Sequence, residues 1–296
     1  MNNFMWTLAP ALLLSTQPVL ADALEGKPSP AAVLENADPS DWRALDPEYL
    51  LVIELEYGRV IVALSSQLAQ NHVSQIKALA RESFYDGLSF YRVIDGFVAQ
   101  GGDAFETREV KTAKSALNAE FDEPYSDNMT FTPIKDLDGY TSQVGFIDSL
   151  PAGVDETSET VWHLHCAGAM ALGRTDAKDS AATEFYIALQ PQRYLDRNLS
   201  VFGRVVEGME HLQALRRITP PQTQEDDQGE TIISMRVATD LPADQQPSLE
   251  ILRSGTETFD AYVEARRNRP EAFFYHRPNH VDICALNIPV RSAESE

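Results

Sequence analysis

The stretch from Phe84 to Asp103, FYDGLSFYRVIDGFVAQGGD, constrains this chain more than any other. An aromatic-rich run reads as a β-strand carrying a single arginine, Arg92. Asp95-Gly96 marks a turn, and a second short strand runs to Gly101-Gly102. A lone cation on a hairpin is ordinarily a solvated surface group. Here Phe90, Tyr91, Val93, Ile94 and Phe97 surround it, which implies a pocket holding one strong hydrogen-bond donor. The glycine pair lets a backbone pass close to something bulky.

The chain has 296 residues and a formal net charge of -21. Nucleic acid and anionic membrane surfaces both require basic patches, so this balance argues against either as a partner. Met1–Ala21 contains no charged residue, and its apolar run Phe4–Leu14 is too short to cross a bilayer. With Ala21-Asp22-Ala23 resembling a small-residue cleavage site, residues 1–21 read as a secretory signal peptide, although no Lys or Arg precedes the apolar run. The expectation is a periplasmic or secreted protein with no membrane insertion after cleavage. The chain has two cysteines, Cys166 and Cys284. In an exported chain they can form a disulfide tying the C-terminal tail to the central region; the alternative is two separately buried thiols.

Residues 22–47, rich in Pro, Ala, Asp and Ser, read as an N-terminal arm or linker. Tyr49–Tyr57 and Arg59–Leu64 form a hairpin pattern about Gly58, and Leu68–Glu82 has helical spacing through Val73, Ile76, Leu79 and Ala80. Residues 104–160 read as a long surface insertion, with a hairpin signal at Asp138-Gly139. Asp136 and Asp138 lack the other positions of a calcium loop and read as solvated turn carboxylates. His163-Leu164-His165-Cys166 invites a metal reading, but period two puts the histidines on one strand face and the cysteine on the other, so no metal is assigned. Strands are expected at Thr183–Leu189, Val201–Val206, Thr231–Ala238 and Leu249–Leu252. Helices are expected at Gly208–Arg217 and Thr256–Asn268. Residues 241–296 are too few to sustain a core and read as an extension packed on the main domain.

The Phe84–Asp103 block resembles the signature of the cyclophilin-type peptidyl-prolyl cis-trans isomerases. A second block, KDSAATEFYIALQPQRYLDRNLSVFGRVVEGM from Lys178 to Met209, is similar to the same family in the expected order. The resemblance, closest to long exported bacterial members, spans about Tyr49 to Ala238. It implies a mainly β fold: a closed eight-stranded antiparallel barrel over residues 48–240, capped by two helices. It also implies isomerisation of X–Pro bonds during protein folding, without a cofactor, by a monomer acting on proline-containing polypeptides. The alternative is a cyclophilin-like proline-segment binding module or chaperone with weak or no isomerase activity.

By the resemblance the catalytic arginine is Arg92, with Gln100 as its companion. The substrate-binding positions fall on Phe97, Val98, Glu184, Phe185, Tyr186, Tyr194, Leu195 and Leu199. Tyr186 stands where many members have a second phenylalanine, and four other positions also differ from the common family residue. Val98 stands at a position often Met, Glu184 where glutamine is usual, Tyr194 where some members have tryptophan, and Leu199 where histidine is frequent. Glu184 can pair with Arg92 and blunt it, or point to solvent.

Overall fold

The computed structural model describes residues 26–126 and 128–293, so the expected signal peptide lies outside the described residues. Leu50–Leu55 and Gly58–Leu64 form an antiparallel hairpin in register Leu55↔Gly58 to Leu50↔Ala63. They belong to a nine-stranded antiparallel sheet. From one edge its strands are Glu230–Thr231, Ser89–Val93, Val98–Gly102, Phe185–Ala188, Ala169–Leu172, Val201–Glu207, Gly58–Leu64, Leu50–Leu55 and Ser234–Val237.

The sheet curls, but its ladder is open, which corrects the expected closed eight-stranded barrel. Both edges come from one stretch of chain. Glu230–Thr231 pairs with Phe90 and Ser89, whereas Ser234–Val237 pairs with Glu54–Leu51. Between them the Ile232 N–H donates to Leu88 O at 2.7 Å and the Ile233 N–H to Glu54 O at 2.9 Å. The stretch divides its hydrogen bonding between two neighbours, so no continuous ladder crosses it.

Inside the curl lies the main core, where Phe90, Phe185 and Phe202 meet Ile53, Val62 and Met235. Helix Gln70–Arg81 covers it with Val73, Ile76, Leu79 and Ala80, the spacing of one helical face. Its N-terminus has no side-chain cap of its own. Glu120, distant in sequence, accepts from the Asn71 and His72 N–H groups instead. A carboxylate there satisfies orphan donors and complements the helix dipole. The short helix Met209–Ala214 adds Leu212 to the same core.

A second core lies outside the curled sheet. The arm contributes Val33, Trp42 and Leu45; the 104–160 segment contributes Ile134, Val144, Phe146 and Leu150; the tail contributes Phe259, Tyr262, Ile283 and Leu286. All pack on the outward faces of Leu50, Val52, Ile61 and Ala63. Trp42–Ala44 pairs with Leu249–Leu252, which pairs with Val290–Ser292. A separate five-stranded sheet orders Glu123–Pro124, Thr160–His163, Leu150–Asp155, Gln143–Ile147 and Phe131–Pro133. The arm is therefore packed rather than a loose linker, because its strand and its helix Pro30–Glu35 bury apolar residues against the tail. Within 104–160, strands Phe131–Pro133 and Gln143–Ile147 pair antiparallel on either side of Asp138-Gly139.

Cys166 and Cys284 are joined by a disulfide within this core. Asp136 and Asp138 are not solvated turn carboxylates. Asp136 pairs with the buried Arg267, and Asp138 with Arg193 at 2.8 Å. Each guanidinium offsets the cost of burying a carboxylate.

Candidate active site

Ser89–Val93 pairs with Val98–Gly102, but the register slips between Ser89 and Arg92. Phe90 and Val93 both face the main core, so the alternation breaks over Tyr91-Arg92. A bulge of this kind re-aims side chains. Here it lets two consecutive residues reach the same partner: Arg92 Nη1 donates to Gln100 Oε1 at 3.1 Å, and Gln100 Nε2 donates to the Tyr91 hydroxyl at 2.6 Å. Gln100 lies opposite Arg92 on one neighbouring strand and opposite Tyr186 on the other.

The Asp95-Gly96 turn, with Gly96 at φ +65°, returns the chain so that Phe97 lies beneath Arg92. The guanidinium carbon is 5.2 Å from the ring centroid, within cation–π range. Leu189 N–H donates to Phe97 O at 2.8 Å and fixes the turn against the next strand.

Strand Phe185–Ala188 alternates strictly. Phe185 and Ile187 enter the main core, while Tyr186 and Ala188 join Val98, Ala171 and Val201 on the opposite face. Tyr186 is held from behind by His165. The His165 Nε2 atom lies 2.9 Å from the Tyr186 hydroxyl, and Nδ1 lies 2.9 Å from Asp196 Oδ1. Arg193 Nε donates to the other Asp196 oxygen at 2.6 Å, fixing the 3-10 turn Arg193–Leu195.

These elements enclose a cavity of about 330 Å³. Phe97, Val98, Tyr186, Leu195 and Leu199 form its apolar wall, and its polar side includes Arg92, Gln100, Arg174 and Glu184. Arg92 makes no ion pair among the described residues, and the bond to Gln100 is its only hydrogen bond there. Two residues expected at the pocket do not line it. Phe185 points the other way because strand neighbours face opposite sides. It packs edge-on against Tyr85 and Phe90 instead. Tyr194 is 60% exposed on the outer side of the 3-10 turn whose Leu195 faces the cavity.

Glu184 adopts neither arrangement weighed from the sequence. It makes no ion pair with Arg92 among the described residues, and its two carboxylate oxygens are buried. The carboxylate lies over Gly102 (φ +141°), where a Cβ would come within 2.4 Å of Oε1, so a side chain there would clash. Burial, with repulsion from Asp103 and Glu106, pushes the Glu184 carboxyl up to about 7. The Tyr91 hydroxyl and the Asp103 amide pull the other way, yet neither oxygen is closed into a hydrogen bond of full geometry.

From the sequence Tyr91 was placed beside Arg92 without its bond to Gln100, and His165 and Asp196 were missed as members of this site. His165 had drawn notice only as a metal ligand. Its neighbour His163 is used elsewhere, between Ser65 Oγ at 2.9 Å and Pro151 O at 3.2 Å.

Residues 50–237 match the family model described as cyclophilin type peptidyl-prolyl cis-trans isomerase/CLD. This chain is a member of the cyclophilin-type peptidyl-prolyl cis-trans isomerase family. Among relatives of this isomerase is peptidyl-prolyl cis-trans isomerase B of Bacillus subtilis (strain 168), 32% identical over 157 residues. That match covers 53% of this chain and 82% of the relative. A probable peptidyl-prolyl cis-trans isomerase of Brucella suis biovar 1 (strain 1330) is 28% identical over 182 residues, covering 59% of this chain and 74% of the relative. The crystal structure of cyclophilin AquaCyp293 from Hirschia baltica aligns with a TM-score of 0.71 at 28% identity, covering 91% of this chain and all of that one. The likeness to that cyclophilin thus extends well beyond residues 50–237.

Proposed function

We propose that this cyclophilin isomerises X–Pro bonds of proline-containing polypeptides during folding, with Arg92 stabilising the twisted amide. The barrier to rotation, roughly 18–20 kcal/mol, comes from amide resonance. No covalent bond has to break. Binding the twisted amide better than either planar isomer is sufficient. Twisting localises the lone pair on the prolyl nitrogen, which becomes a hydrogen-bond acceptor.

A guanidinium is a permanent donor with a rigid fork. Arg92 has one N–H committed to Gln100 and no carboxylate competing for the rest among the described residues. That uncommitted donor beside the apolar wall of the cavity is the observation that carries the proposal. A charge-assisted hydrogen bond contributes roughly 1.5–3 kcal/mol. At 1.36 kcal/mol per decade this is about ten- to hundredfold in rate. Phe97, Tyr186 and Leu195 would hold the prolyl ring while the preceding carbonyl swings.

The charge-free N-terminal segment and the Cys166–Cys284 disulfide support export to an oxidising compartment, where such bonds persist. N-terminal sequencing of the protein recovered from the periplasm or medium tests this reading, and an uncleaved cytoplasmic chain refutes it.

The mechanism is tested by turnover of a peptide with an Ala-Pro bond. Arg92→Ala is expected to lower kcat/KM about ten- to hundredfold with an unchanged melting temperature. Equal, background-level rates in wild type and variant would leave a proline-segment binding module as the better reading.

A further inference from the structure

The Arg92 mechanism leaves one buried titratable group at the cavity unused. Glu184 lines the same cavity as Arg92, and a buried charged oxygen without a full hydrogen bond is rare enough to require an explanation. We propose that Glu184 is a positioning residue for the isomerase reaction: through the Tyr91 hydroxyl it orients the Gln100 amide, and through that amide the Arg92 guanidinium. The inference rests on Arg92 being the catalytic donor.

The argument follows donors and acceptors. Arg92 has only donors, so it needs the carbonyl end of Gln100. The amide end of Gln100 then faces Tyr91, whose oxygen must accept. A phenol that accepts from Gln100 still carries a proton to place. If that proton turned toward Gln100, donor would meet donor and the amide would lose its anchor. The buried Glu184 carboxylate closes no hydrogen bond of full geometry, but it couples electrostatically to the Tyr91 hydroxyl, and in the proposed relay it is the acceptor that draws the proton the other way. The bulge at Tyr91-Arg92 is what places both side chains on Gln100.

Ionised Glu184 only accepts, which keeps Tyr91 turned correctly. Protonated Glu184 brings a donor of its own that competes for the phenol oxygen, and the relay loosens. The groups facing Glu184 favour this change near neutral pH. Asp103 and Glu106, from the chain after strand Val98–Gly102, repel its charge. Tyr85 and Tyr91 are neutral. Arg174, beyond Gly173, spends its guanidinium on Asn198 O and Thr175 O.

The test is kcat/KM for an uncharged Ala-Pro peptide from pH 5.5 to 8.5. Wild type should rise about threefold or more with a midpoint near 7, the size expected for weakening one hydrogen bond. Glu184→Gln offers Tyr91 an acceptor that cannot titrate and should flatten the profile. Tyr91→Phe should flatten it too, and adding Glu184→Gln to Tyr91→Phe should cause no further loss, since both act through one contact. Should Glu184→Gln fold poorly by thermal melting, the Tyr91→Phe profile decides alone. Retention of the wild-type pH step in Glu184→Gln would overturn the proposal. Multiplied losses in the double variant would overturn it as well. Absence of Arg92-dependent turnover at every pH would instead refute the isomerase mechanism on which the inference rests.

Discussion

His165 and Tyr186 lie nearly parallel, with ring planes 12° apart, and are joined by a 2.9 Å contact between the imidazole Nε2 and the phenol hydroxyl. The contact converts a strand residue into a fixed wall of the cavity. Asp196 holds the far side of the imidazole, and Arg193 holds Asp196. The wall is therefore continuous with the 3-10 turn that brings Leu195 to the cavity.

Tyr186→Phe keeps the ring and removes the hydroxyl, leaving a buried imidazole nitrogen without its partner. An unsatisfied buried polar group costs about 1–3 kcal/mol. The denaturant midpoint should fall accordingly with an unchanged slope. An unaltered midpoint would mean the contact contributes nothing to stability.

The disulfide closes a loop of sequence separation 118 between the turn after strand Thr160–His163 and the tail. Loop-closure entropy for that length suggests about 4–5 kcal/mol, and native disulfides typically contribute about 2–5 kcal/mol. Cys284→Ala, or treatment with a reductant, should lower the unfolding free energy within that range. The two routes should agree, because both remove the same cross-link. A loss far below about 2 kcal/mol would show that the second core holds the tail without it.

Much of the site was legible because its chemistry is local. Arg92, Phe97, Val98 and Gln100 fall within nine consecutive residues, and the strand and turn propensities there agree with the backbone. The bulge was not legible, since period-two reading assumes an unbroken strand and the slip at Tyr91 depends on pairing across the sheet. Phe185 was misplaced for a related reason: motif position brings it beside Tyr186, while the pleat sends it to the opposite face. The second core was hidden because no one segment can form it. The arm, the 104–160 stretch and the tail each look too polar or too short alone and become a core only together. Asp136 looked solvated because its partner Arg267 is 131 residues away. The open sheet edge was equally beyond sequence patterning, because one strand-like run at Thr231–Ala238 gives no sign that its bonding is shared between two neighbours.

His163 makes stability depend on acidity. It is buried between the Ser65 hydroxyl and Pro151 O, and burial lowers its pKa from 6.5 to about 4. Above pH 6.5 the imidazole is neutral in both folded and unfolded chains, and its contribution to stability is fully present. As pH falls from 6.5 toward 4, the unfolded chain takes up a proton that the folded chain refuses, so stability is lost across that window. The sum is roughly 3 kcal/mol at about 1.36 kcal/mol per pKa unit. His163→Gln cannot titrate, so its stability should decline less between pH 7 and pH 4.5 than that of the wild type. Carboxylates contribute to the pH dependence of both proteins, and the difference between them isolates the imidazole. Parallel declines in urea midpoint for the two proteins would show that His163 does not carry this acid sensitivity, whatever the variant costs at neutral pH.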